Sequence, residues 1–367
     1  MKLEKGIITN TQLMFLIISF MEFMVLAINF VYPISKENTW IAILVAYALV
    51  ILIALGYTAI AKKYPGKNLV EINDIALGPF IGKIFSALYI WFFFEYLIHF
   101  SYYFNSFWIT YIMTETPRIV FVVFLMAVCA MAVKDGIETI ARCSVIFAIL
   151  VGTMVISIVV AQISKMELSH FLPILDMTPK VFIQSVHIIL TIPFCDIVVF
   201  LMILPYTDKN TQIRKPVLLA ISLSTALMFI CVLASTAVLG VRMGTSTSGT
   251  FAATREIEIA AILARVDVLI AITLLITIFI KITVFYYATV LGLAQMLKLR
   301  SYKPLIVPIG LIACAISANL YPSDMEQVYC AQYIWPFNAS IFEILLPAIT
   351  LVVIALQSVW KEKGAAE

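Results

Sequence analysis

Charged side chains are scarce in this chain. Its 367 residues hold 24 Lys and Arg and 21 Asp and Glu, so 12% are charged while 63% are hydrophobic. A soluble domain carries roughly twice that charged fraction. A freely soluble fold is therefore excluded, and an integral membrane protein with almost no extramembrane domain is indicated. The formal net charge is a small +3 with dispersed basic residues, which leaves no basic patch for nucleic acid. The six cysteines (Cys129, Cys143, Cys195, Cys231, Cys314 and Cys330) form no CxxC pair and mostly fall inside apolar runs. They read as small buried hydrophobes, not as a disulfide framework or a metal centre. P-loop, HExxH and GxSxG signatures are missing too, so no enzyme activity, cofactor or metal is expected. His170 and His187 are lone histidines near span ends and read as interfacial.

What the chain has in abundance is long apolar windows, about ten of them. They lie near Leu13–Val31, Trp40–Ala61, Ile84–Ser106, Ile119–Val133, Ile140–Ile163, Gln184–Leu204, Val217–Leu239, Val268–Leu297, Pro304–Leu320 and Ile341–Trp360. The first lacks a small-residue cleavage site and reads as a retained span rather than a signal peptide. Gly244–Thr254 is the clearest Ser/Thr-rich linker. With the N-terminus inside, the inner segments collect more than twice as many Lys and Arg residues as the outer ones. Both termini are therefore expected in the cytoplasm. Ten spans permit two five-helix halves, the second inverted relative to the first because five is odd.

The eighth window is organised around Lys281. Uncharged runs Val268–Ile280 and Ile282–Leu297 flank it, which places an ammonium near the membrane midplane, where it needs a partner, deprotonation or water. Thr273, Thr277 and Lys281 recur every four residues and share one face. Three acids are candidate counter-charges: Glu22 in span one, Glu95 in span three and Asp196 in span six. One ammonium does not neutralise three carboxylates, which leaves at least one acid protonated, solvated or paired with His99, one turn from Glu95. Pro193 removes a backbone donor three residues before Asp196, so span six should kink or unwind there; an ordinary membrane-helix kink fits equally. In span one no Gly or Pro between Leu13 and Tyr32 forces a break. Tyr102, Tyr103, Trp108 and Tyr111 read as an interfacial aromatic belt. The set of midplane charges suits proton coupling or recognition of a zwitterion, against a structural ion pair that only holds helices together.

Several stretches resemble a known family. They are Leu172-Pro173-Ile174-Leu175 before span six, Leu204-Pro205 at its end, and Ala264-Arg265-Val266-Asp267 opening span eight. Phe279-Ile280-Lys281-Ile282, Gly292-Leu293-Ala294, and Tyr321-Pro322-Ser323-Asp324-Met325-Glu326-Gln327-Val328 before span ten complete the set. In this order and spacing the chain is similar to the B subunits of spore-germination receptors, the endospore-germination permeases of the amino acid–polyamine–organocation transporter superfamily. The resemblance implies an all-α polytopic fold in an inverted five-plus-five repeat, with helices one and six interrupted. It implies a pocket between spans one, three, six and eight for a small germinant such as an amino acid, in the spore inner membrane beside A and C subunits. Carried residue by residue, that pocket includes Leu26, Ala27 and Ile28, then Phe92 and Tyr96, then Cys195 to Val199, and Lys281. Two positions depart from the family pattern: Leu26-Ala27-Ile28 replaces a Gly-x-Gly, and Val199 replaces an acid, with Asp196 one turn earlier. A proton-coupled amino-acid transporter and a ligand-free scaffold subunit remain as competing readings.

Overall fold

The computed structural model describes residues 3–4, 6–23, 28–208, 212–245, 253 and 266–364. Among them there is no strand, only an isolated bridge between Ile8 and Thr207. The principal helices are α1 (Asn10–Met21), α2 (Thr39–Lys63), α3 (Leu69–Leu77), α4 (Ile81–Tyr111), α5 (Arg118–Asp135) and α6 (Ile137–Gln162). They continue as α7 (Pro179–Ile189), α8 (Arg214–Leu239), α9 (Val266–Met296), α10 (Lys303–Ser317) and the long α11 (Asp324–Ser358). Seven helical segments among the described residues are long and apolar enough to cross a membrane, and α1 and α10 are shorter apolar helices.

Local chemistry sets many boundaries. Thr9 accepts from the Gln12 amide while the Gln12 side chain returns to the Thr9 amide, a capping box that starts α1. At its other end α1 stops at Met21, with Glu22 as its cap. A short 3-10 turn, Ile28–Phe30, and the helical turn Tyr32–Ser35 follow. The expected first span is thus broken where neither Gly nor Pro signals it. After α7 the backbone changes form twice, into a π-helical turn at Leu190–Phe194 and a 3-10 stretch at Cys195–Met202. Pro193 sits in the first of these, where the wider turn accommodates its ring and missing N–H.

Helix α11 begins at Asp324, well ahead of the expected Ile341, capped by Ser323, which accepts from the Glu326 amide at 3.3 Å. Polar and aromatic residues between Tyr329 and Asn338 lower the hydropathy there, and two π-helical turns, Cys330–Ile334 and Ile341–Leu345, carry the helix through. The aromatic belt expected at the end of α4 is also corrected. Tyr102 is buried and donates to Asp324 at 3.1 Å, and Tyr103 meets Phe23 and Phe30 edge-on. The linker Gly244–Thr254 falls largely outside the described residues, as do Ala264 and Arg265.

Helix α9 packs most extensively on α4 and also meets α6, α5 and α1. Gly292 permits the close approach, because a Cβ there would meet Ile90 of α4 at 2.8 Å. Helix α1 lies against α6, α8 and α9. The irregular segment after α7 is the most enclosed: 94% of the apolar window of Pro179–Met202 is buried, against 28% for Ile137–Lys165. Backbone with irregular hydrogen bonding is tolerated at membrane depth where protein, not lipid, surrounds it.

Candidate functional site

The 3-10 stretch after Pro193 turns Asp196 toward α9, where Lys281 Nζ lies 2.5 Å from Asp196 Oδ2. Both side chains are fully buried. A buried ion pair of this kind holds only while each charge keeps its partner. The rest of the ammonium faces aromatic rings: Phe20 at 4.3 Å, Phe100 at 4.9 Å and Phe23 at 5.4 Å from their centroids. Such ring faces stabilise a desolvated cation. Lys281 is thus held by one carboxylate from the broken segment and by rings from α1, α4 and the turn after α1.

A second carboxylate that local sequence did not single out adjoins this pair. Glu343, in the second π turn of α11, is fully buried and interacts electrostatically with Asp196 and Lys281. Its Oε1 accepts from the Tyr96 hydroxyl of α4 at 2.7 Å. The Tyr57 hydroxyl of α2 donates to the Glu343 backbone carbonyl and approaches that of Cys195 at 3.5 Å. Tyr96 stacks on Phe285 at 4.4 Å, and Phe92 stacks on Phe342 at 4.3 Å. Broken segment, α4, α9 and α11 are therefore tied at one level. The signal that would have found Glu343 is the Ser-x-x-Glu cap at Ser323: a helix starting there carries Glu343 into its middle.

The remaining expected residues divide. Phe92, Tyr96, Cys195 and Asp196 are buried at the cluster, and Val199 is buried three residues after Asp196 in the same 3-10 stretch. Glu95 is not part of it; half-buried, it accepts from Asn338 at 3.1 Å, and His99 bonds the Glu95 backbone carbonyl at 2.7 Å, so no Glu95–His99 side-chain pair forms. Glu22 is buried but faces Gly152 of α6, and among the described residues its Oε2 has no hydrogen-bond partner. Thr277 lies on the Lys281 face, yet its hydroxyl bonds the Thr273 carbonyl of its own helix at 2.9 Å. Ile28 opens the 3-10 turn, while Leu26 and Ala27 lie outside the described residues. His187 bonds the Ser340 hydroxyl at 2.7 Å, joining α7 to α11. No cluster suited to a metal ion occurs among the described residues.

Beside the Lys281 cage lies a small cavity of about 50 Å³, lined among others by Phe23, Tyr96, Phe100, Ile192 and Trp335. Phe23 and Phe100 therefore face both the cavity and the ammonium. Ligand pockets for small molecules run to about 300–1,000 Å³, so this one is small.

Comparison with known proteins places the chain. The sequence model of the family described as "Spore germination protein", the spore permeases, matches residues 7–325. Spore germination protein KB of Bacillus subtilis (strain 168) is 27% identical over 338 residues, covering 90% of this chain and 88% of that protein. Spore germination protein B2 of the same organism is 24% identical over 301 residues, covering 80% of each. Among solved structures, MhsT in complex with L-phenylalanine aligns with a TM-score of 0.63 at 14% identity, covering 96% of this chain and 89% of that one. A Na⁺-coupled sialic acid symporter in a substrate-bound, outward-open state gives 0.64 at 12% identity, covering 92% and 79%. At such identities the likeness shows the fold alone. With the family model spanning most of its length, this chain belongs to the spore germination protein family and is a multi-pass membrane protein with a transporter fold.

Proposed function

We propose that the protein is the nutrient-sensing membrane subunit of a spore germination receptor, with its ligand site centred on Lys281. The observation that carries this reading is the fully buried Lys281–Asp196 pair, caged by Phe23 and Phe100, which also line the adjoining cavity. Movement of those two rings would open the cavity onto the ammonium. A small zwitterion such as an amino acid fits the chemistry, its carboxylate meeting Lys281 and its ammonium meeting the acids opposite. Phe92, Tyr96, Cys195, Val199 and Thr277 would shape the pocket, to which the family resemblance also assigns the span-one positions Leu26, Ala27 and Ile28. Glu22 and Glu95 would act at its margins. The cavity is smaller than the pockets that hold such ligands, so it would have to widen to admit one.

The same reading takes the chain as about ten spans in an inverted five-plus-five arrangement. Both termini are cytoplasmic, and the subunit acts without catalysis in the spore inner membrane beside A and C subunits. A proton-coupled amino-acid transporter is the second reading, favoured by carboxylate oxygens at the cluster that lack hydrogen-bond partners among the described residues. Purified protein in proteoliposomes separates the two. The sensor reading predicts saturable amino-acid binding, lost in Lys281→Ala and Tyr96→Leu, without concentrative uptake. Robust uptake driven by a pH gradient would contradict it.

A further inference from the structure

The centre of the bundle holds two buried carboxyls and one buried ammonium. Asp196 Oδ2 accepts from Lys281 and Glu343 Oε1 accepts from Tyr96, which leaves Asp196 Oδ1 and Glu343 Oε2. Neither has a hydrogen-bond partner among the described residues, and both side chains are fully buried. The other titratable groups facing Glu343 are Tyr57, Tyr89, Tyr96 and Cys195, none of them a cation. Were both acids ionised, the cluster would carry an uncompensated negative charge away from water, which proteins relieve by neutralising the group. A metal or ammonium needs room, and the adjoining cavity is lined by neither Asp196 nor Glu343. A proton needs none.

We propose that Glu343 is a proton-binding site: its carboxyl is held neutral while Lys281 pairs with Asp196, the proton sitting on Oε2, the oxygen that Tyr96 leaves free. The charge of the site is then tied to the ion pair. Neutralising Asp196 frees Lys281 to hold Glu343 ionised, and the proton leaves to solvent. The proposal stands apart from the identity of any ligand, because it concerns the unliganded protein.

Infrared spectroscopy of the purified, ligand-free full chain tests it at neutral pH. The wild type should show a protonated-carboxyl stretching component that shifts in D₂O, and Glu343→Gln should lack that component while keeping those of other acids. Asp196→Asn should lose the Glu343 component too. Coincident spectra of wild type and Glu343→Gln would overturn the proposal, as would survival of the Glu343 component in Asp196→Asn. Because Gln copies the neutral acid in shape, Glu343→Gln should melt with the wild type; melting as low as Lys281→Met would mean that Glu343 is ionised, and would overturn it. Should Glu343→Gln fail to fold, the double variant Glu22→Gln/Glu95→Gln decides: a protonated-carboxyl component that survives in it supports the site, and loss of the component overturns it.

Discussion

Two buried acids, Glu4 and Glu343, are served by opposite arrangements along α9 and its neighbours. Glu4 Oε2 accepts from the Tyr302 hydroxyl at 3.0 Å and the Tyr287 hydroxyl at 3.3 Å, and Oε1 accepts from the Gly6 amide at 2.8 Å. Gly136, in a left-handed conformation at φ 93° between α5 and α6, leaves room for that carboxylate; a Cβ there would lie 3.0 Å from Oε2. The same N-terminal strip is pinned by Ile8, whose amide donates to the Tyr206 carbonyl at 2.9 Å. Every oxygen of Glu4 has a donor, and the arrangement is a strap. Glu343 has one donor for two oxygens, next to an aspartate in the same position. A fully satisfied polar network rigidifies, whereas a buried carboxyl oxygen without a donor beside a second acid makes a full negative charge there costly. Hydrogen-bond accounting thus separates a structural carboxylate from a responsive one in the same bundle.

Removing the central cation should break the comparison most severely. Lys281→Met leaves Asp196 buried without its partner, so the protein should lose about 3–5 kcal/mol and with it any response to ligand, read by thermal unfolding and binding in detergent. Tyr96→Phe strips Glu343 of its one donor and should cost about 1–3 kcal/mol, with weakened ligand response. Glu4→Gln keeps the shape of the strap but weakens bonds to a charged acceptor, so about 1 kcal/mol is expected, with ligand response intact. A lost response there would erase the distinction between the two acids. Thr277→Val should be smallest, at about 0.6 kcal/mol or less, since its hydroxyl bonds only its own helix; a large effect on binding would return Thr277 to the site.

The membrane fold is legible from the apolar windows, and the need of Lys281 for a partner, deprotonation or water is legible from the cost of charge at that depth. Pro193 marked the irregular segment that turns Asp196 toward it. Glu343 was hidden because a hydropathy window starting at Ile341 puts it at a helix end, while the Ser323 cap and two π turns carry it to the middle of α11. Sequence depth makes Glu95 and Glu22 candidates beside Asp196, because depth in a span does not reveal which neighbour a side chain faces. The structure turns Glu95 to Asn338 and Glu22 to Gly152. Thr277 shares a face with Lys281 but spends its hydroxyl on the backbone, a habit of helical threonines that spacing does not disclose. The stop of α1 at Met21 carries no local signal at all.

The central claim is that ligand response resides at the Lys281–Asp196 pair and not in the strap at Glu4. A thermal-shift screen of a panel of free amino acids against wild type, Glu4→Gln and Lys281→Met tests it most directly. An amino acid that raises the melting temperature of the wild type should raise that of Glu4→Gln equally and leave Lys281→Met unmoved. A wild-type-sized shift in Lys281→Met would contradict the account.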